Sequence, residues 1–244
     1  MGELSDVLTT VADSKVVEKA YKDAASPLFQ QIGGFGEDLA KTARLLLFPL
    51  QITATMQDRL EIFLKNLKDR VPENNQIPIQ PEIAGPALEA MQYLLVDNPL
   101  WQMFEELLIK SADSEQIANV HPSFTHIIKQ LSRDEAYILY KLTQSPFEFV
   151  YTMDLDKVQN MFVNRVYEKW TLPNSELFNP QSVWIYYSHL ESMSLVTWPV
   201  YKREPIKLNG TQTGIRGFSR MHLTDFGSLF TTACIPSTGL RGNT

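Results

Sequence analysis

The chain has 244 residues, 44% hydrophobic, 20% charged and 11% aromatic, with a formal net charge of −6. That length suits one large domain or two small ones, and the hydrophobic share excludes a wholly disordered chain. A single cysteine, Cys234, excludes a disulfide framework and a cysteine-cage zinc site. The longest apolar run, Leu45–Leu50, falls far short of the roughly 20 residues that span a bilayer. Met1 is followed by Gly2, Glu3 and Asp6, not by a basic start and an apolar core. The expected compartment is the cytoplasm.

Residues 3–31 read as one or two helices with a weak apolar stripe, broken by Gly33-Gly34-Phe35-Gly36. A longer helical segment runs from Asp38 to Arg70, kinked at Pro49 because proline lacks the amide proton and clashes with the preceding turn. Its second half is amphipathic, with Met56, Leu60, Phe63 and Leu67 opposite Arg59, Lys65 and Lys68. The stretch Leu45–Ile52 is apolar nearly all round. It reads as a buried bundle helix; the other reading, a peripheral membrane or partner contact, asks for a strong polar face it lacks.

After a loop at Val71–Asn75, a helix is expected from Pro86 to about Val96, with Ala87, Met91, Leu94 and Leu95 inward. Asn98 caps the next, and Pro99 sits at its first position, where a missing donor is harmless. Trp101, Phe104, Leu107 and Leu108 supply its buried face. His121-Pro122-Ser123 opens a helix with Phe124, Ile127, Ile128 and Leu131 inward. Ser132-Arg133-Asp134-Glu135 is a capping box ahead of Ala136, Leu139 and Leu142. Trp101, Phe104, Leu108, Phe124, Ile128 and Leu139 are the expected core of this helical array.

The pattern changes after Pro146. Phe147, Phe149 and Tyr151 alternate with Glu148, Val150 and Thr152, the period of a strand. Val158, Met161, Phe162, Val166 and Tyr167 suggest a helix ending near Trp170, and Asn179-Pro180 starts another through Val183, Trp184, Tyr187 and Leu190. Asn209-Gly210 is a hairpin turn between extended segments. Thr224 caps a last helix through Phe226, Leu229 and Phe230. The expected fold is therefore mainly α. A helical arm spans 1–37 and an antiparallel helical domain 38–143. A C-terminal α+β winged-helix-like domain spans 147–235, and a flexible tail 236–244.

Charge is uneven. Residues 200–244 hold Lys202, Arg203, Lys207, Arg216, Arg220 and Arg241 against Glu204 and Asp225, whereas the rest of the chain is acidic. Such an end can bind an anionic partner. The plainer reading is a basic hairpin meeting its own acidic body.

Motifs that carry chemistry are mostly missing from the sequence. No phosphate loop, dinucleotide fingerprint, nucleophile elbow or metalloprotease helix is present. Gly33–Gly36 lacks the lysine and hydroxyl of a phosphate loop and reads as a connector. His121 and His126 are five apart, where helical metal pairs use three or four, so a capping or surface role is expected. His189 and His222 have no local ligand partners. Asp154-Leu155-Asp156 lacks a third acid at calcium-loop spacing and reads as a helix-start charge pair. Glu105-Glu106 reads as solvated and Cys234 as inert packing. Asn209-Gly210-Thr211 matches the glycosylation pattern, which a cytoplasmic protein leaves unused. No catalytic residue, metal ligand or cofactor is assigned.

In the middle of the chain, Ile79–Ala90, Leu100–Ala112, Val120-His121-Pro122-Ser123-Phe124 and Ile127–Ala136 carry a resemblance to the Abi-alpha (abortive infection alpha) family. Asp38–Arg59 and Leu223–Phe230 also look similar. It implies a role in defence against phage and carries no catalytic residue. The functional expectation is a non-catalytic protein acting through macromolecular contacts. The other expectation is a nucleic-acid-binding regulator that uses the C-terminal domain. Lys202, Arg203, Lys207, Arg216 and Arg220 form the expected partner surface, because clustered like charges on a projecting element favour an anionic partner. The helix at Pro180–Ser192 weakens the regulator reading. It offers only His189 as a cation, and nucleic-acid affinity rests on neutralised phosphates.

Overall fold

The computed structural model describes residues 54–240. The expected N-terminal helices, the Gly33–Gly36 break, the Leu45–Ile52 stretch with its Pro49 kink, and residues 241–244 lie outside the described residues. Two compact units result, one of 54–96 with 108–118, the other of 97–107 with 119–240.

The first unit is helical. Helix α1 (Ala54–Arg70) buries Leu60, Phe63, Leu64 and Leu67 and leaves Lys65 and Lys68 exposed, as its stripe dictates. Arg59 Nη1 donates to the Leu94 carbonyl at 2.6 Å. Helix α2 spans Pro81–Met91, starting five residues before the expected Pro86. Pro86 lies inside it: one lost ladder bond is outweighed by burial of Ile83, Ala84, Ala87, Leu88 and Met91. The chain leaves the helix after Met91, so Leu95 is exposed rather than inward.

Helix α3 (Pro99–Ser111) opens as expected, with Asn98 Oδ1 accepting the Leu100 amide at 2.9 Å. It is buried nearly all round, through Trp101, Met103, Phe104, Leu107, Leu108 and Ile109. Glu106 is therefore buried at 2% exposure, not solvated. The six expected core residues each expose 1% or less.

In the second unit, α4 (Phe124–Gln130) and α5 (Arg133–Gln144) follow. The capping box forms: Ser132 Oγ accepts the Glu135 amide at 3.2 Å, and Glu135 Oε2 accepts the Ser132 amide at 2.7 Å. Five antiparallel strands come next, interrupted by helix α6 (Val183–Ser192). They are β1 (Phe147–Asp156), β2 (Met161–Trp170), β3 (Val196–Thr197), β4 (Val200–Leu208) and β5 (Thr211–Leu223). Helix α7 (Asp225–Cys234) closes the unit, with Thr224 Oγ1 accepting the Gly227 amide at 2.9 Å. The sheet order is β2-β1-β5, with β3 and β4 sharing the far edge of β5. Phe147, Phe149 and Tyr151 are buried in alternation, as their period requires. Asn209 (φ 51°) and Gly210 (φ 79°) form the β4–β5 turn with both residues left-handed.

This corrects the expectation of a mainly α protein. The described chain is α+β, with seven α-helices and a five-stranded sheet. The helix expected over 158–170 is the strand β2, so the winged-helix order loses its first helix. Apolar residues at 158, 161, 162, 166 and 167 happen to step at helical spacing. Local turn chemistry overrides them: Asp156 Oδ1 accepts the Val158 and Gln159 amides, and Asn160 adopts φ 51°. Asn179 also departs from expectation. Its side chain makes no cap bond and donates to Ser182 Oγ, because Pro180–Ser182 is a 3-10 turn before α6. Gly239, in the C-terminal stretch, is buried beside the Tyr140 ring.

Candidate functional site

The five basic residues singled out by sequence lie on one hairpin. Lys202, Arg203 and Lys207 are on β4, and Arg216 and Arg220 on β5; all are exposed. Three meet carboxylates of their own unit. Arg216 forms two bonds of 3.0 Å with Glu168, Arg220 reaches Glu148 at 2.5 Å, and Lys202 reaches Glu204 at 2.7 Å. Glu168 holds Arg216, and Glu204 holds Lys202, above their ordinary pKa values. Arg220 also covers the Tyr201 ring, and Lys202 that of Phe218. Alternation along β5 puts Arg216, Phe218 and Arg220 on this ion-paired face and turns Ile215, Gly217, Ser219 and Met221 to the other.

That other face forms a cleft with α6. The cleft holds about 510 Å³, and five of its nine lining residues are aromatic. Trp184 and Trp198 lie near-parallel, 8° apart with centroids 5.4 Å apart. Tyr187 stands edge-on to Trp198 at 4.9 Å. Tyr167 closes on Trp184 at 5.0 Å, and Phe149 backs Trp198 at 4.2 Å. Trp198 Nε1 donates to Ser219 Oγ at 3.0 Å, which fixes the indole. The floor is a cross-strand row: Tyr167 faces Tyr151, Tyr151 faces Gly217, and Gly217 faces Arg203. Gly217 is required there. A Cβ would sit 2.3 Å from Tyr151 Cζ, so only glycine lets that ring lie across the sheet. The Arg165 guanidinium stacks over the same ring, 4.8 Å from its centroid. Among the described residues, Arg165 is the one charged residue of the lining, and no carboxylate contributes.

Helix α6 is held in place by the start of α5. Asp134, 3% exposed, accepts the Phe178 and Asn179 amides at 2.8 Å each and the Tyr186 hydroxyl at 2.9 Å. Glu135 uses Oε2 in the capping box and Oε1 against His189 Nδ1 at 2.6 Å. A motif legible as a local cap thus also anchors a helix about fifty residues downstream. His189 meets a partner that no local spacing foretold.

Burial, then the hydrogen bond to Asp134, pushes the Tyr186 phenol up to about 12 from 10.0. The folded state thus keeps a proton that the unfolded chain releases near pH 10. This stability is complete below pH 10 and is lost as pH rises through about 12. Tyr186→Phe should flatten that alkaline decline in urea-unfolding free energy. An unchanged slope between pH 9 and pH 12 would show that the phenol is not the titrating group. Burial and Glu191 raise the Tyr187 phenol as well, so it stays neutral at physiological pH.

The remaining candidates take structural roles. His121 Nδ1 accepts the Ser123 amide at 3.1 Å, a helix-start contact, and His126 is exposed. Asp154 accepts from Asn164 Nδ2 and Asp156 caps the β1–β2 turn, so neither marks a helix start. Cys234 is buried. Among the described residues, no group of three His, Cys, Asp or Glu side chains is placed to hold a metal ion. The cleft itself was missed by sequence reasoning. Its one sequence signal is aromatic density, since three of the four tryptophans fall between 170 and 198.

Among the described residues, no helix is long and apolar enough to cross a membrane. No curated protein and no solved structure matches the chain. The family described as abortive infection alpha matches residues 55–234, which covers most of both units and every residue of the cleft. On that match, the chain belongs to the abortive infection alpha family.

Proposed function

We propose that the protein serves phage defence in the cytoplasm as a binding component, acting on its target by contact rather than by transforming it. The aromatic cleft is its working surface. Family membership supports the defence half of this reading. The observation that carries the binding half is the division of labour around α6. The reactive groups there are committed to structure: Asp134 to three hydrogen bonds, Glu135 to its cap and His189. The cleft offers rings, hydroxyls and one guanidinium, which is the composition of a site that holds a ligand.

The basic hairpin supports nucleic-acid binding less well. Lys202, Arg216 and Arg220 already face carboxylates, which leaves Arg203 and Lys207 to meet phosphates. Phage plating on cells that express the chain tests both surfaces. Wild type is expected to lower plating efficiency, and Trp184→Ala to restore it. Lys202→Glu combined with Lys207→Glu should keep protection. Full protection by Trp184→Ala would remove the cleft from the mechanism, and no protection by wild type against any phage would sink the defence reading.

A further inference from the structure

We infer that the aromatic cleft binds a free nucleotide, its base stacked on Trp184, the exposed ring of the stacked Trp184–Trp198 pair, and its 5′-phosphate held by Arg165. The inference rests on the cleft being the working surface and goes beyond it by naming the ligand.

The shape of the lining selects a flat ring. Trp184 and Trp198 lie within 8° of parallel, Trp184 is 46% exposed, and Tyr187 presents its edge. Such faces prefer a planar, electron-poor partner, and base–aromatic stacking is sequence-tolerant because every base has a π-face. The charge selects an anion. Arg165 lies over Tyr151, no acid is among the described residues of the lining, and the neighbouring Glu191 carboxylate is taken up by the Tyr187 hydroxyl. Packed on a ring, the guanidinium keeps its planar fork for two phosphate oxygens. Arg203 continues the same cross-strand row from the far strand.

Hydroxyls supply the rest. Ser219 Oγ accepts from Trp198 and is left to donate, while Tyr187 donates to Glu191 and is left to accept. One donor and one acceptor beside an exposed ring suit the edge of a base.

Size and charge count favour a free nucleotide over a strand. A cleft of about 510 Å³ is small-molecule sized. Tracking a strand takes a run of unpaired cations, whereas Lys202, Arg216 and Arg220 are spent on carboxylates on the opposite face.

Tryptophan fluorescence of the full chain, titrated with each common ribonucleoside 5′-monophosphate, tests this directly. At least one should quench saturably. Its parent nucleoside should bind about ten- to a hundredfold more weakly, and ribose 5-phosphate should leave the signal unchanged. Arg165→Met should bring nucleotide affinity down to that of the nucleoside and leave nucleoside binding alone. Trp184→Ala should weaken both by about five- to a hundredfold. Arg165 is exposed, so the methionine variant carries the test if Trp184→Ala fails to fold. Equal binding of nucleoside and nucleotide would overturn the proposal, as would an Arg165→Met protein that binds nucleotide like wild type. Binding of a short single-stranded oligonucleotide without any monophosphate would also overturn it and assign the cleft to nucleic acid. If Trp184→Ala loses phage protection while no monophosphate binds, the cleft stands as the working surface and only this ligand falls.

Discussion

Phe124→Ala is expected to remove about 3–5 kcal/mol of unfolding free energy, the range for truncating a buried aromatic ring. Phe124 is fully buried at the start of α4. Its ring meets Phe230 edge-on at 5.2 Å and 85°, and Phe226 at 5.7 Å. Truncation opens a cavity beside two rings that α7 holds through the Thr224 cap, so collapse into the space is limited. Loss of the edge-to-face contact adds about 0.5–1.5 kcal/mol to the area term. Urea unfolding measures this, with an unchanged m-value showing that the denatured state is the same. A loss under about 1 kcal/mol would place Phe124 outside a close-packed core.

Asp134→Asn is expected to cost roughly 2–4 kcal/mol although it changes one atom. Asp134 Oδ1 accepts the Phe178 amide; Oδ2 accepts the Asn179 amide and the Tyr186 hydroxyl. An amide nitrogen in either place faces a backbone N–H that cannot rotate away. A buried donor is then left unmade, which costs more than a bond deleted from both sides. Tyr186→Phe removes one of the three bonds and should cost only about 1 kcal/mol. Because α6 carries Trp184, Tyr187 and Ser188, Asp134→Asn should also change the near-ultraviolet dichroism of the stacked indoles. Equal stability of the two variants would mean that the backbone at Phe178 and Asn179 does not depend on Asp134.

Local chemistry was legible in the sequence; long-range pairing was not. The Asn98 cap, the Ser132 capping box, the Thr224 cap and the Asn209-Gly210 turn each involve a few adjacent residues, and all four form. β1 showed itself because one face is buried and the period of two survives. β2 did not. Most of its positions are exposed, and register shifts against β1 near Tyr151 and Asp154 break the alternation. The Asp156…Asn160 turn was the overlooked cue. The Glu135–His189 and Arg220–Glu148 pairs span 54 and 72 residues, and no spacing rule reaches that far. The cleft depends on register: Tyr151 lies flat because Gly217 stands opposite, a relation that exists only once the strands pair.

Among the described residues β2 ends the sheet, and Phe162, Val166 and Trp170 are exposed along it. An unpaired strand with apolar side chains is a template for a strand from another molecule. Arg165 and Lys169 stand among those side chains as charged gatekeepers, since a strand that pairs with this edge must come up against both cations. Their reach is one Debye length, about 10 Å at 0.1 M salt and about 3 Å at 1 M. The colloidal behaviour of this protein is thereby tied to ionic strength, while its buried core is indifferent to it.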